Sequence, residues 1–391
     1  MLSYFCWEVS FMLSSAFRYI TRFIPLIITV FITLPPLFSN ADARLALDIE
    51  EQKTRIAALE EAYKNGEIAP VDENLFFDGD LEAELNNGLK FNELRYIATH
   101  NSYQTEATQE IKTLYDILSE LTFGLIASEA DFKRETITEQ FNNGIYSLEL
   151  DVETFDRNGE ISFTCLHSPK IDMTTSCYDF ALTLKEIAMW SDNNPNHLPI
   201  TIIIEPKVLI LALEDMKSFN LDYAQAFDAL LREQLGDRLF TPDDMLRNYE
   251  NFAAMRADDG WCEVKDMLGK VLILLHDSSV TEKYISSDPT LRSLAMFPML
   301  RENDAERDCA SFLIINDPAD AYSLSGEIIE NGKFIVRTRA DSFGAINKEN
   351  SDLAFKSSAQ IVSTDYPVIN GNTSAEYLAY FGNYKSIKPN R

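Results

Sequence analysis

Arg95-Tyr96-Ile97-Ala98-Thr99-His100-Asn101-Ser102-Tyr103 is a short apolar run that stops abruptly on a histidine and a carboxamide. The same ending recurs along the chain. Tyr146-Ser147-Leu148-Glu149-Leu150-Asp151 closes on two carboxylates, Ile161-Ser162-Phe163-Thr164-Cys165-Leu166 runs into His167, and Ile200-Thr201-Ile202-Ile203-Ile204 runs into Glu205. Further apolar runs lie at 269–275, 312–315, 334–338 and 360–364, with helical patterns at 110–126, 129–142, 180–190 and 221–235 between runs. Apolar strands alternating with helices predict a parallel sheet buried on both faces. Eight such strands predict a closed α/β barrel of the TIM type, with its chemistry at the rim where the strands end.

The 391 residues are 46% hydrophobic and 25% charged, enough to bury a large core without a metal or disulfide. A formal net charge of −28 excludes the basic footprint that nucleic acid requires. It also predicts weak adhesion to anionic membranes and favours a divalent cation.

Ahead of the barrel, Leu45, Ile49, Ile56, Leu59 and Tyr63 recur among acidic residues, which predicts an amphipathic helix over 45–63 that Asn65-Gly66 ends. Docking against the main body is the expected use, with a coiled-coil dimer as the alternative. Residues 68–92 read as an acidic connector.

Earlier still, Arg18 and Arg22 precede the apolar run 23–34, which gives way to Pro35, Pro36 and small residues up to Ala43. That pattern is a secretory signal, and the run is short of the roughly 20 residues an uncleaved anchor needs. The expected division is a signal peptide over 1–41, the helix and connector over 42–92, and the barrel over 93–391, in an exported, periplasmic or secreted protein. Export leaves Cys165, Cys177, Cys262 and Cys309. An even number in an oxidising compartment predicts two bridges, Cys165–Cys177 being the local choice and Cys262–Cys309 the remainder. Zinc lacks the CxxC pair it would favour.

Alternation along a strand puts Glu149 and Asp151 on one face. Two carboxylates so close repel unless a cation or proton lies between them. Asn101 and Glu205 bring further oxygens, and an all-oxygen set suits Ca2+, with Mg2+ second. Of the four histidines, His100 and His167 end strands. His197 falls in a polar turn and reads as solvated, and His276 ends a strand, where it either lines the rim or takes Asp277 beside it as a structural partner. Two imidazoles around a cation suit phosphoryl chemistry, one stabilising phosphoryl oxygens and the other protonating a leaving alkoxide.

Thr99-His100-Asn101-Ser102-Tyr103, Leu148-Glu149-Leu150-Asp151, Leu166-His167 and Ile204-Glu205 together resemble the X-half of the calcium-dependent phosphoinositide-specific phospholipases C. With Ile335-Val336-Arg337-Thr338-Arg339-Ala340-Asp341 and Val362-Ser363-Thr364-Asp365-Tyr366-Pro367, the chain resembles more closely the secreted bacterial members of that superfamily, over residues 94–367. The resemblance implies that Asn101, Glu149, Asp151 and Glu205 ligate Ca2+, that His100 stabilises the pentavalent phosphorane, and that His167 is the general acid. It implies Glu149 or Glu205 as the base for an inositol hydroxyl, whose attack gives a cyclic inositol phosphate and diacylglycerol. Arg337 or Arg339 would hold the headgroup, an Arg339–Asp341 pair being the alternative, and Tyr366 would stack on the ring. The implied partner is a phospholipid, met in transient contact with a membrane surface.

The eukaryotic enzymes carry lysines where this chain has Leu274-Leu275-His276-Asp277, so the resemblance does not extend to polyphosphorylated headgroups. Glycerophosphodiester phosphodiesterases, a rival barrel family, carry His-Arg-Gly where His100-Asn101-Ser102 stands. A barrel that binds a calcium-bridged ligand without turnover is the remaining alternative.

Overall fold

A computed structural model describes residues 41–109, 111–113, 116, 133–167, 169, 172–207, 212–341, 347–372 and 376–390. The leader expected over 1–41 lies almost wholly outside the described residues, as does most of the helical pattern at 110–126.

Helix α1 (Ala41–Lys64) forms where the amphipathic pattern predicts it, and Gly66 turns the chain out of it at φ 67°, a conformation glycine adopts without penalty. The helix docks. Leu45 packs among Phe155, Leu166, Met173, Leu213 and Met216, and Arg55 donates two 2.8 Å bonds to the buried Glu186. The connector is less irregular than its composition suggests. It contains α2 (Leu81–Asn86), capped by Asp80, and its Phe77, Leu81, Leu89 and Phe91 join the main core.

Strand β1 (Leu94–Thr99) is followed by α3 (Ile137–Asn142) and the long β2 (Ser147–Arg157). Then come β3 (Glu160–Thr164), α4 (Phe180–Asn193), β4 (Ile200–Pro206), β5 (Met216–Lys217) and α5 (Leu221–Leu235). Short helices α6 (Pro242–Leu246) and α7 (Phe252–Ala257) lead to β6 (Val271–Leu275), α8 (Ser279–Ser287) and β7 (Met296–Arg301). The chain ends with β8 (Phe312–Ile314), α9 (Pro318–Ser323), β9 (Ile335–Arg339), α10 (Lys348–Lys356), β10 (Ile361–Thr364) and β11 (Ile387–Pro389).

The parallel strands lie in the order β1-β10-β9-β8-β7-β6-β4-β2, eight staves of a TIM-type barrel. Every residue of β6 and the first five of β4 are buried, because the sheet is covered inside by side chains and outside by helices. No ladder joins β1 to β2 among the described residues. Instead the Ser102 amide donates to the Glu149 carbonyl, and Ser102 Oγ accepts from the Glu149 amide, both at 2.9 Å. β11 pairs antiparallel with the N-terminal half of β1, so the seam is filled by the chain's last strand.

Two strand expectations are corrected. The run 161–166 is no barrel stave: β3 folds back antiparallel on the extension of β2, with Arg157 opposite Glu160. Asn158 and Gly159 form the two-residue loop, both at positive φ (58° and 91°), as a hairpin turn of this twist demands. The stave it displaces is β7, a run interrupted by Pro298. A proline cannot donate to a ladder and weakens the reading of a strand. The helix expected over 129–142 is described only as the shorter α3. Gly144 follows it, where the Phe76 ring occupies the space a Cβ would need.

The four cysteines beyond the leader all lie among the described residues. All four thiols are free and buried. Cys165 and Cys177 are nonetheless neighbours, the Cys165 amide donating to the Cys177 carbonyl at 3.0 Å with the two thiols in hydrogen-bond contact. Cys262 faces the Met245 carbonyl, whereas Cys309 lies beside Arg307 and Glu282, so the second pair meets different neighbours.

Candidate active site

Parallel register delivers the acidic residues to one rim. Asp151 lies opposite Glu205 in the β2–β4 ladder, and the seam hydrogen bonds pull the turn after β1 against Glu149. Asn101 makes that turn at φ 46°, a left-handed conformation that asparagine tolerates better than most residues. Glu149, Asp151 and Glu205 each offer a carboxylate oxygen within 4.8 Å of the others. Glu149 and Asp151 are buried outright, while the Glu205 side chain is 26% exposed.

Three buried acceptors here have no hydrogen-bond partner among the described residues: Asn101 Oδ1, Glu149 Oε1 and Asp151 Oδ1. An unmade hydrogen bond at a buried polar atom costs about 1–3 kcal/mol, so three such atoms on residues of one rim call for a ligand. A hard divalent cation satisfies all of them at once, and the donor set therefore fits Ca2+.

Both carboxylates are ionised. Burial alone would raise Glu149, but Arg337, His100 and Arg339 outweigh it and hold the carboxyl at about 2. For Asp151 burial is outweighed by Lys207 and His167, which keep it far below the usual carboxylate range. Tyr103 Oη donates to Asp151 Oδ2 at 2.7 Å.

An imidazole stands beside each carboxylate. His100 Nε2 lies 3.7 Å from Glu149 Oε1, and its Nδ1 lies 3.2 Å from Asp365 Oδ1. Asp365 is paired with Arg134 at 2.5 Å, both side chains almost fully buried, and Arg134 also donates to the His100 carbonyl at 3.0 Å. An ionised Asp365 can only accept, so Nδ1 carries a proton and Nε2 faces the carboxylates. His167 Nδ1 lies 3.7 Å from Asp151 Oδ2 and 3.4 Å from both Tyr103 Oη and Asn101 Nδ2.

The structure thus gathers His100, Asn101, Glu149, Asp151, His167 and Glu205. Arg337 is there too, but fully buried, its guanidinium bonded to Glu149 and Asn316. Arg339 retains 16% exposure and comes within 3.8 Å of Glu149 Oε1; Asp341 instead accepts from Thr364 Oγ1 and the Asp365 amide. Tyr366 packs edge-on against Tyr377. His197 is not solvated: it is buried, with Nε2 2.8 Å from Ser191 Oγ and Nδ1 2.7 Å from the Leu198 carbonyl. His276 Nδ1 meets the Asp277 carbonyl at 3.1 Å, while the Asp277 carboxylate takes Arg301.

Three residues escaped the sequence reading. Asp365 sits at a strand end like the others and was legible by that rule. Lys207, two residues beyond Glu205, places Nζ 2.9 Å from Asp151 Oδ2 and 3.2 Å from Glu205 Oε1. Arg134 carries no sequence signal.

Among solved structures the chain is similar to the calcium-dependent phosphoinositol-specific phospholipase C of a Gram-negative Pseudomonas, in its apo form. The TM-score is 0.54 at 16% identity, covering 81% of this chain and 99% of that one. The myoinositol complex of that enzyme gives a TM-score of 0.54 at 16% identity, covering 80% and 98%. These likenesses show the fold. A search of curated proteins found no match. The model of the family described as "Phosphoinositide phospholipase C, Ca2+-dependent" matches residues 153–391. That span contains His167, Glu205 and Arg337, while His100, Asn101, Glu149 and Asp151 precede it and join the site through the geometry above. Because the match runs over more than half of the sequence, the chain belongs to the Ca2+-dependent phosphoinositide phospholipase C family.

Proposed function

We propose that the protein cleaves the phosphodiester of phosphatidylinositol-type lipids, releasing diacylglycerol and a cyclic inositol phosphate. The observation that carries this reading is the meeting, on one barrel rim, of two imidazoles with an ionised carboxylate cluster that leaves three buried oxygens unpartnered. Asn101, Glu149, Asp151 and Glu205 would hold Ca2+, which when bound neutralises phosphate charge and acidifies a coordinated hydroxyl.

The inositol oxygen forms its bond to phosphorus as the bond from phosphorus to the glycerol oxygen breaks. Glu205 takes the hydroxyl proton. It is the exposed carboxylate of the cluster, whereas Glu149, held at about 2 by its arginines, is a poor base. His100, oriented through Nδ1 by Asp365, presents Nε2 to the charged phosphoryl oxygens. His167 gives its proton to the departing glycerol oxygen. Arg337 keeps Glu149 charged and in place, which leaves Arg339, with its partly open face, to contact the headgroup, and Tyr366 to border the ring.

The same reading takes 1–41 as a signal removed on export, 42–92 as the docked helix with its connector, and 93–391 as the catalytic barrel. Among the described residues no helix is long and apolar enough to cross a membrane.

The test is turnover of phosphatidylinositol, lysophosphatidylinositol and glycerophosphocholine, with calcium and with EGTA, followed by 31P NMR. A cyclic phosphate signal that EGTA abolishes supports the reading. Turnover of glycerophosphocholine alone, or full activity in EGTA, overturns it.

A further inference from the structure

Lys207 follows Glu205 and Pro206 at the end of β4, and its amide donates to the Val152 carbonyl at 3.3 Å, so the β2–β4 register fixes where the side chain starts. From there the ammonium reaches into the carboxylate cluster and bridges Asp151 and Glu205 at 2.9 and 3.2 Å. Its side chain remains 25% exposed, which leaves it an outward path.

The ammonium is an incomplete filling. It offers three donors from one point, and the cluster still leaves Asn101 Oδ1, Glu149 Oε1 and Asp151 Oδ1 without a hydrogen bond among the described residues. A divalent ion that takes six or more oxygens would satisfy these together with Glu205. Sharing Asp151 and Glu205 with an ammonium at hydrogen-bond distance from both sets two cations against each other, and that repulsion weakens the binding of the ion.

We propose that Lys207 is a tethered cation that holds Asp151 and Glu205 together until calcium enters, is displaced outward when it does, and thereby sets the calcium concentration at which the site loads. The proposal rests on the reading of this cluster as the calcium site. Its sign is specific: a lysine that merely supports the metal ligands would tighten calcium binding, whereas a competitor weakens it.

The experiment is calorimetric titration of CaCl2 into the full chain and its Lys207→Met and Lys207→Arg variants, with thermal melting in EGTA. It is paired with mass-spectrometric acylation of lysines in the wild type, with and without calcium. Lys207→Met should bind calcium about tenfold more tightly, since a charge-assisted hydrogen bond no longer has to be broken, and its melting temperature in EGTA should fall. Lys207→Arg should stay near wild-type affinity, and acylation of Lys207 in the wild type should rise severalfold when calcium is added. A folded Lys207→Met with equal or weaker calcium affinity overturns the proposal. So does wild-type acylation that calcium leaves unchanged, a result that does not depend on any variant folding. A wild type that binds no calcium refutes the metal site itself, and the proposal falls with it.

Discussion

Asp365→Asn probes the buried support behind His100. Asp365 and Arg134 form an ion pair at 2.5 Å with side-chain exposures of 1% and 2%. Neutralising one partner strands the other in a low-dielectric interior, at a cost of about 3–5 kcal/mol. Against a typical stability of about 5–15 kcal/mol this is a large share, and the melting temperature should fall by on the order of 10 °C. The variant also exchanges the charged, acceptor-only group that fixes His100 Nδ1 for a neutral amide that can turn its NH2 to the ring, so kcat should drop by about 100-fold or more. The two effects separate in Arg134→Met/Asp365→Asn. Replacing a buried pair with neutral or apolar groups is often neutral or stabilising, so melting should recover, yet His100 still lacks its charged acceptor and kcat should stay low. Melting by circular dichroism and steady-state turnover of phosphatidylinositol read the two quantities independently. Wild-type kcat in the folded double variant would refute the orienting role of Asp365. An unshifted melting temperature in the single variant would refute the buried pair.

Glu149→Gln should weaken calcium binding by about 10–100-fold or more and reduce activity with it, whereas His167→Ala should leave calcium affinity intact and slow turnover alone; calorimetry and kinetics distinguish them. Calcium should raise the wild-type melting temperature through preferential binding to the native state, and EGTA should reverse the shift. Glu73 gives a pH test far from the rim, where it accepts from Tyr146 Oη at 2.9 Å and burial raises its pKa to about 8. Because the native value lies above the unfolded one, its stabilising contribution is complete below about pH 4.5 and is lost as pH rises toward 8. Glu73→Gln should therefore lie within about 1 kcal/mol of neutral at pH 5 and stabilise the protein by about 4 kcal/mol at pH 8, as urea melts at the two pH values will show.

Four of the barrel's features were legible without coordinates, because strand ends in a parallel barrel share one rim and any polar residue there converges with the rest. His100, Asn101, Glu205 and the Glu149–Asp151 pair follow from that rule. His167 was reached for the wrong reason. Its run belongs to a hairpin whose Asn158-Gly159 turn was present in the sequence, and His167 returns to the rim because β3 folds back along β2. His197 shows the opposite error. Its polar neighbours suggest solvent, but the packing of α4 and the strand ends buries it against Ser191.

The sequence by itself determined the strand-and-helix alternation, the docked amphipathic helix and the acidic, two-histidine character of the rim, since each depends on residues close together along the chain. Only the tertiary structure decided that Arg337 neutralises Glu149 across 188 residues, that Asp365 supports His100 across 265 and is itself paired with Arg134 across 231, and that Lys207 enters the carboxylate cluster. Those pairings follow from closure of the barrel. Closure brings distant strand ends within a few ångströms, where buried charge must find a partner, and no local pattern of residues encodes which partner that will be.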